Sequence, residues 1–191
     1  MKARTLNTNE QAMIDYDNFL LCGEKVRLCK FTANDISETY ISWLNDSEVV
    51  MFSNQRFIQH DSLSCLRYFK SFEGTDNLFV SIRRADDDSQ IGTLTAYISN
   101  HHQTVDLGIL LGEKSVWAQG YGQEAWNLMT NWLLYERGGL RKLTAGTLAC
   151  NYGMVKLMER SGMSLEAIRS RQEIVDGCPT DILYYSRFHE D

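Results

Sequence analysis

The residue spacing in this chain that points most directly to chemistry is a pair of glycines, Gly120 and Gly122, in "VWAQGYGQEAWNLMTNWLL". They stand immediately before a long amphipathic run. The first turn of a helix leaves backbone N–H groups without partners, and the helix dipole adds partial positive charge there. A glycine-lined turn lets a phosphate approach that main chain closely, so the pair reads as a pyrophosphate seat, or more plainly as a tight loop before a helix. Gly120, Gly122 and Ala125 also satisfy the G-x-G-x-x-A fingerprint of nicotinamide and flavin enzymes. That alternative needs an acidic residue about 20 positions later to hold a ribose. The corresponding stretch, "RKLTAGTLACN", contains none.

Other reactive groups form no recognised constellation. No Ser-His-Asp or Cys-His signature occurs, and the adjacent His101 and His102 have no companion at HExxH-like spacing, so no metal is assigned. The five cysteines are odd in number, scattered and without CxxC spacing, which fits reduced thiols in a cytoplasmic protein.

The elements that must position the glycine pair follow from periodicity. "EKVRLCKF" alternates as a strand, and "TAND" offers a capping box of Thr32 with Asp35 for a helix carrying Ile36, Tyr40, Trp43 and Leu44 on one stripe. A second helix fits Asp61 to Phe72, with Leu63, Leu66 and Phe69 setting its period. "LFVSIRR", "IGTLTAYISN" and "TVDLGILL" are joined by short polar turns and form an antiparallel meander. The glycine pair then opens a helix whose Ala125, Leu128, Met129, Trp132 and Leu133 face a sheet. A strand "RKLTAGTLA", a helix from Asn151 and a hairpin turning at Asp176-Gly177 complete the chain. The glycine helix is thus a crossover between two parallel strands of a mostly antiparallel α+β sheet of six to seven strands, whereas a dinucleotide fold would continue with parallel units.

Residues 24–191 are expected to form one domain, preceded by a polar, aperiodic N-terminal arm over residues 1–23. A length of 191 residues, 43% hydrophobic and 23% charged, suits a single packed domain. The net charge of -6 argues against nucleic acid as a partner, and no apolar run is long enough for a membrane span.

"VWAQGYGQEAWNLMTNWLL" together with "LRKLTAGTLACNYGMVKLMERSGM" resembles the acyl-CoA-binding half of the GNAT acetyltransferases, especially the branch of ribosomal-protein N-terminal acetyltransferases. The element order matches from about Glu24 to Phe188. The resemblance implies acetyl-CoA as cosubstrate and direct transfer of its acetyl group to a primary amine in a ternary complex. It implies that the strand residues Ile109, Leu110 and Leu111, the turn residues Gln119, Gly120, Tyr121, Gly122 and Gln123, and Asn151 at the next helix bind the cofactor. Trp117 stands where the wider superfamily has Arg or Gln, a substitution common in this branch. Met158 and Met154 stand where many members carry a Tyr that protonates the leaving thiolate and a Ser; neither Met can donate a proton. Lys156 with Arg160, or Arg141 with Lys142, would meet the CoA 3′-phosphate. Asp106 is the implied catalytic base, with water, His101 or His102 as other proton routes. Gly108 would permit a bulge that turns main-chain donors toward the thioester. Trp43, Asn54 and Arg56, in "SWLNDSEVVMFSNQRF", are the implied acceptor-binding residues, and Trp43 equally reads as core. An amino sugar or another small amine is favoured over a protein N-terminus as acceptor. A non-enzymatic acyl-CoA-binding module is the alternative, and a second copy of the chain is a candidate partner.

Overall fold

The computed structural model describes residues 19–137 and 139–189. Most of the proposed N-terminal arm therefore lies outside the described residues. Its last part does not: Leu20–Cys22 is a strand (β1), one element earlier than expected, and Phe19 is buried edge-on against Trp132 at 4.9 Å.

Among the described residues eight strands form one sheet in the order β1-β2-β3-β4-β5-β6-β8-β7. After β1 come β2 (Val26–Lys30), β3 (Leu78–Arg84), β4 (Gln90–Ser99), β5 (Thr104–Leu111), β6 (Lys142–Leu148), β7 (Ser164–Val175) and β8 (Cys178–Phe188). The helices are α1 (Glu38–Asn45), α2 (Ser62–Lys70), α3 (Tyr121–Asn131) and α4 (Tyr152–Arg160). Among the described residues only β5 and β6 run parallel; every other neighbouring pair is antiparallel, in keeping with the expected meander and crossover. The strand count exceeds the expected six to seven because three residues, Leu20–Cys22, are too few to show alternation.

Helices cover both faces of the sheet. On one face Ala125, Trp126 and Met129 of α3 and Met158 of α4 pack on Val80, Ile82, Leu94, Val105, Leu107 and Leu143. On the other, Tyr40, Trp43 and Leu44 of α1 and Cys65 of α2 pack with Phe31, Phe72 and Phe79. Alternation along each strand decides which side chains join which layer.

Three local expectations change. The Thr32–Asp35 capping box exists, with Thr32 N–H donating to Asp35 Oδ2 at 2.7 Å, but it opens only a 3-10 turn. Asp35 is buried and paired with Arg83, and α1 starts afresh at the Ser37 cap, whose Oγ accepts from Tyr40 N–H at 3.1 Å. In α2 the buried residue is Cys65, while Leu63 points to solvent. The glycine helix does not run on unbroken, because α3 widens into a π segment over Trp132–Glu136, closed by Arg137 N–H to Trp132 O at 2.8 Å.

Candidate active site

The parallel pair β5–β6 is the origin of the site. The two strands pair only at Thr104–Lys142, Val105–Leu143 and Asp106–Thr144. Beyond Asp106, β5 stays with β4 up to Leu111, and β6 stays with β8 up to Leu148. The sheet therefore splits into a V at Asp106. In antiparallel pairing, alternate residues direct their main-chain groups to opposite neighbours. The Leu110 carbonyl lies over Gly92 of β4, whereas the carbonyls of Val105 and Leu111 face away from β4 and accept from Thr144 Oγ1 (3.3 Å) and Trp117 Nε1 (3.0 Å). The amides of Ile109 and Leu111 accordingly turn into the V, where no strand stands opposite them, and those of Leu110 belong to the β4 ladder. The expected bulge at Gly108 is absent, since β4 and β5 keep continuous register from Gly92–Leu111 to Ser99–Thr104. Loss of β6, not a bulge, frees the donors. Gly108 serves close packing instead: a Cβ there would lie 2.9 Å from Thr95 Oγ1.

The mouth of α3 sits at the open end of the V. Gly120 is its N-cap in the left-handed region at φ 89°, which glycine adopts without strain, and no side chain caps the helix. The first α3 bond is Glu124 N–H to Gly120 O at 3.0 Å, which leaves the amides of Tyr121, Gly122 and Gln123 as a cluster of donors. Gly122 is buried, and a Cβ on it would meet Leu111 Cδ1 at 2.8 Å and Leu157 Cδ1 at 3.7 Å. Its bare backbone thus allows α3 to close on both β5 and α4.

Side chains brace this mouth from three directions. Lys25 Nζ donates to Gln119 O at 2.8 Å, and Glu124 returns its carboxylate to the Lys25 amide at 3.1 Å. The Trp117 indole closes the last carbonyl of β5. Gln123 Nε2 donates to Ser161 Oγ at 2.7 Å, to Asn127 Oδ1 at 3.2 Å and to Leu157 O at 3.3 Å, which pins α3 to the end of α4. The Gln119 side chain bonds to Ser115 O. These side chains hold the turn while its amides stay available for a ligand.

Asn151 caps α4, with Oδ1 accepting from Met154 N–H at 3.2 Å; its side-chain Nδ2 has no partner among the described residues. Lys156 and Arg160 are exposed on α4, the helix that Gln123 ties to the mouth of α3. Arg141 and Lys142 are at the other end. Lys142 pairs with Thr104 at the start of β5 and forms an ion pair with Glu166, and Arg141 Nε donates to His102 O at 3.1 Å. That location excludes the Arg141–Lys142 pair as a 3′-phosphate site. His101 and His102 share the same end, in the turn that precedes β5, whereas Asp106 stands at the apex of the V.

On the α1/α2 face the V opens into a cleft of ≈ 340 Å³. Its floor comes from Thr95, Tyr97, Asp106 and Gly108 on one arm and Gly146, Leu148, Ile182 and Tyr184 on the other; Phe52, Asn54 and Glu173 form a wall. Gly146 is needed because Tyr184 lies over it, with a ring carbon 3.0 Å from where a Cβ would stand. Asp106 has no hydrogen-bond or ion-pair partner among the described residues. Water reaches it from the mouth of the cleft, yet protein crowds it on the other sides, and this desolvation pushes its carboxyl pKa up.

The expected acceptor residues divide. Asn54 reaches the cleft and lies 3.5 Å from Glu173 Oε1. Arg56 stands behind the wall, paired with Glu173 Oε2 at 3.6 Å and donating to Ser53 O at 2.9 Å and Ile174 O at 3.4 Å. Trp43 is 6% exposed inside the second core layer, where a Cβ on Gly112 would overlap its ring, and is not among the cleft-lining residues. Sequence reasoning missed Phe52, Thr95, Tyr97, Glu173 and Tyr184, which come from four separated segments and meet only through strand register.

The sequence matches the GNAT acetyltransferase domain over residues 25–164, and the chain belongs to that family, whose enzymes use acetyl-CoA. Solved structures share the fold. A GNAT-family acetyltransferase from Bacillus anthracis has a TM-score of 0.77 at 17% identity, covering 91% of this chain and 100% of that one. Spermidine N-acetyltransferase from Vibrio cholerae, in complex with CoA and spermine, has a TM-score of 0.76 at 13% identity, covering 87% and 97%. Ribosomal-protein-S5-alanine acetyltransferase from Vibrio fischeri has a TM-score of 0.70 at 13% identity, covering 91% and 98%. Comparison with curated proteins gives no match. No helix among the described residues is long and apolar enough to cross a membrane.

Proposed function

We propose that this chain transfers the acetyl group of acetyl-CoA to a primary amine of a small molecule by direct attack in a ternary complex. The observation that carries the reading is Asp106: a solvent-reached carboxylate without a partner among the described residues, at the apex of the V, between the helix mouth on one face and the cleft on the other, whose pKa is raised by the protein crowding it. A carboxylate held this way is a cost to a module that only binds, and an asset to an enzyme needing a base near neutral pH. This argues against the non-enzymatic alternative.

The amides of Tyr121, Gly122 and Gln123 hold the pyrophosphate of the cosubstrate, and Lys156 and Arg160 meet its 3′-phosphate. Acetyl-CoA supplies an activated acetyl thioester. The Ile109 and Leu111 amides donate to the carbonyl oxygen as it gains negative charge. Asp106 takes a proton from the acceptor ammonium, freeing the nitrogen lone pair to attack. As the C–S bond breaks and CoA leaves as a thiolate, the adduct nitrogen gives up its second proton; the Tyr184 hydroxyl, which lines the same cleft without a partner among the described residues, can accept that proton as it passes its own to the thiolate. The Tyr97 hydroxyl is already paired with that of Tyr68 at 2.8 Å.

The net charge of -6 and five free cysteines support a cytosolic enzyme whose partners are small molecules, not nucleic acid. The test is amine-dependent release of CoA thiol over a panel of small amines and N-terminal peptides. Release with small amines and not with peptides supports the reading; release with peptides alone reverses the acceptor assignment, and no release with either removes the enzyme.

A further inference from the structure

The acceptor cleft has a second acidic group, remote from the reacting one, and no basic residue in its lining. Asp106 stands opposite Thr144, which pairs with Ser186 of β8, while Glu173 stands opposite Thr180 of the same strand. Six residues of β8 and the three interstrand steps from β5 across β6 and β8 to β7 separate the two carboxylates, on the order of 20 Å along the strands and on the order of 14 Å across them before the side chains reach inward. Both carboxylates border one cleft with Phe52, Tyr97 and Tyr184 among its aromatic walls. The nearby guanidinium groups are engaged: Arg56 with Glu173, and Arg169 over the Tyr184 ring at 5.2 Å.

We propose that Glu173 is a specificity residue that binds a distal N–H or O–H donor on an elongated acceptor, so that the substrate is an amine with a second ammonium or hydroxyl at the far end of a long chain from the reacting nitrogen and no anionic group. This rests on the amine-acetyltransferase reading. The Glu173 carboxylate keeps spare acceptor capacity because its contacts to Arg56 (3.6 Å) and Asn54 (3.5 Å) are long. Arg56 from behind and Asn54 from the cleft side orient the carboxylate and tie the loop after α1 to the β7–β8 hairpin. An acceptor bearing phosphate or carboxylate would bring negative charge against Asp106 and Glu173 with no free cation in the lining to offset it. This disfavours amino sugars on nucleotide carriers as substrates.

The test titrates α,ω-diamines, ω-amino alcohols, ω-amino acids and monoamines, each with two to ten methylenes, into the protein saturated with CoA, and measures turnover of the same series with acetyl-CoA. Affinity and kcat/KM should rise with chain length toward the long end of the series for diamines or amino alcohols, roughly tenfold or more above the matched monoamine, with the amino acids weakest. The diamine and amino alcohol arms separate an ammonium from a hydroxyl as the distal group. In Glu173→Gln the advantage of diamines and amino alcohols over the matched monoamines should collapse through KM, with CoA affinity unchanged. Turnover without length or charge preference overturns this inference and leaves the acetyltransferase reading standing. Length-selective binding without turnover does the reverse, and absence of both overturns both. If the Glu173 variant fails to fold, the wild-type length series decides alone.

Discussion

The two halves of the site are built from different materials. The half proposed to hold the cosubstrate is main chain: three amides at the mouth of α3, two more on β5, and glycines that keep side chains out of the way. The acceptor half is side chain: carboxylates, tyrosines and an asparagine carried on β4, β5, β8, the loop after α1 and the β7 hairpin. A main-chain site depends on local conformation and tolerates changes in most side chains, whereas a side-chain site can be rewritten one residue at a time without disturbing the sheet. This is the division expected of a domain that keeps one cosubstrate and varies the other.

Substitutions on the two sides should therefore fail differently. The largest effect is expected from Asp106→Asn, which should lower kcat/KM by about 10²–10⁴ in a steady-state thiol-release assay and leave the CoA Kd unchanged. The acid limb of the wild-type profile should go with it: only ionised Asp106 accepts a proton, so activity is lost as pH falls through its raised pKa. Gly122→Val should act on the other half, weakening CoA by on the order of 100-fold in calorimetry, because a branched side chain at 2.8 Å from Leu111 forces α3 away from β5. Its Tm should fall as well, so Gly122→Val weakening both CoA and the fold is the expected signature; full CoA affinity would mean that the glycine only shapes a loop.

A smaller loss, about tenfold, is expected for Lys156→Ala combined with Arg160→Ala when CoA is compared with dephospho-CoA, which should bind wild type and variant alike. Arg141→Ala should change neither affinity, since that residue lies at the far end of the strands. The smallest effect is on stability. The folded-state pKa of Asp106 is raised above its unfolded value, so its contribution is fully favourable below the unfolded pKa and is lost as pH rises through the folded one. Asp106→Asn should thus melt at a slightly higher temperature than wild type at pH 7, and the difference should vanish in acid; a variant less stable at pH 7 would argue against a desolvated carboxylate.

The same division explains what could be read from the residues alone. Gly120 and Gly122 before an amphipathic run, and Asn151 before another, signal helix mouths through contiguous sequence. The meander and the single parallel pair followed from periodicity and connection length. Glu173, Tyr97 and Tyr184 carried no such signal, because their convergence depends on the pairing of β4 with β5 and β8 with β6, and on a β7 strand whose register shifts between Arg169 and Glu173. Trp43 was ambiguous for a physical reason: an aromatic on a helix stripe beside a cleft looks alike whether it lines the cleft or the core. Its burial against Gly112 resolves the matter in favour of the core. Gly108 suggested a bulge, yet the donors were freed by divergence of a neighbouring strand, which no local pattern records.

The most direct measurement is a titration of isotopically labelled protein with CoA, followed through the backbone amide resonances. The amides of Tyr121, Gly122 and Gln123 should show the largest changes, with Ile109 and Leu111 next, and 3′,5′-ADP should reproduce the smaller changes at Lys156 and Arg160. Saturable CoA binding that leaves the resonances of residues 121–123 in place would contradict the central claim that the mouth of α3 holds the diphosphate.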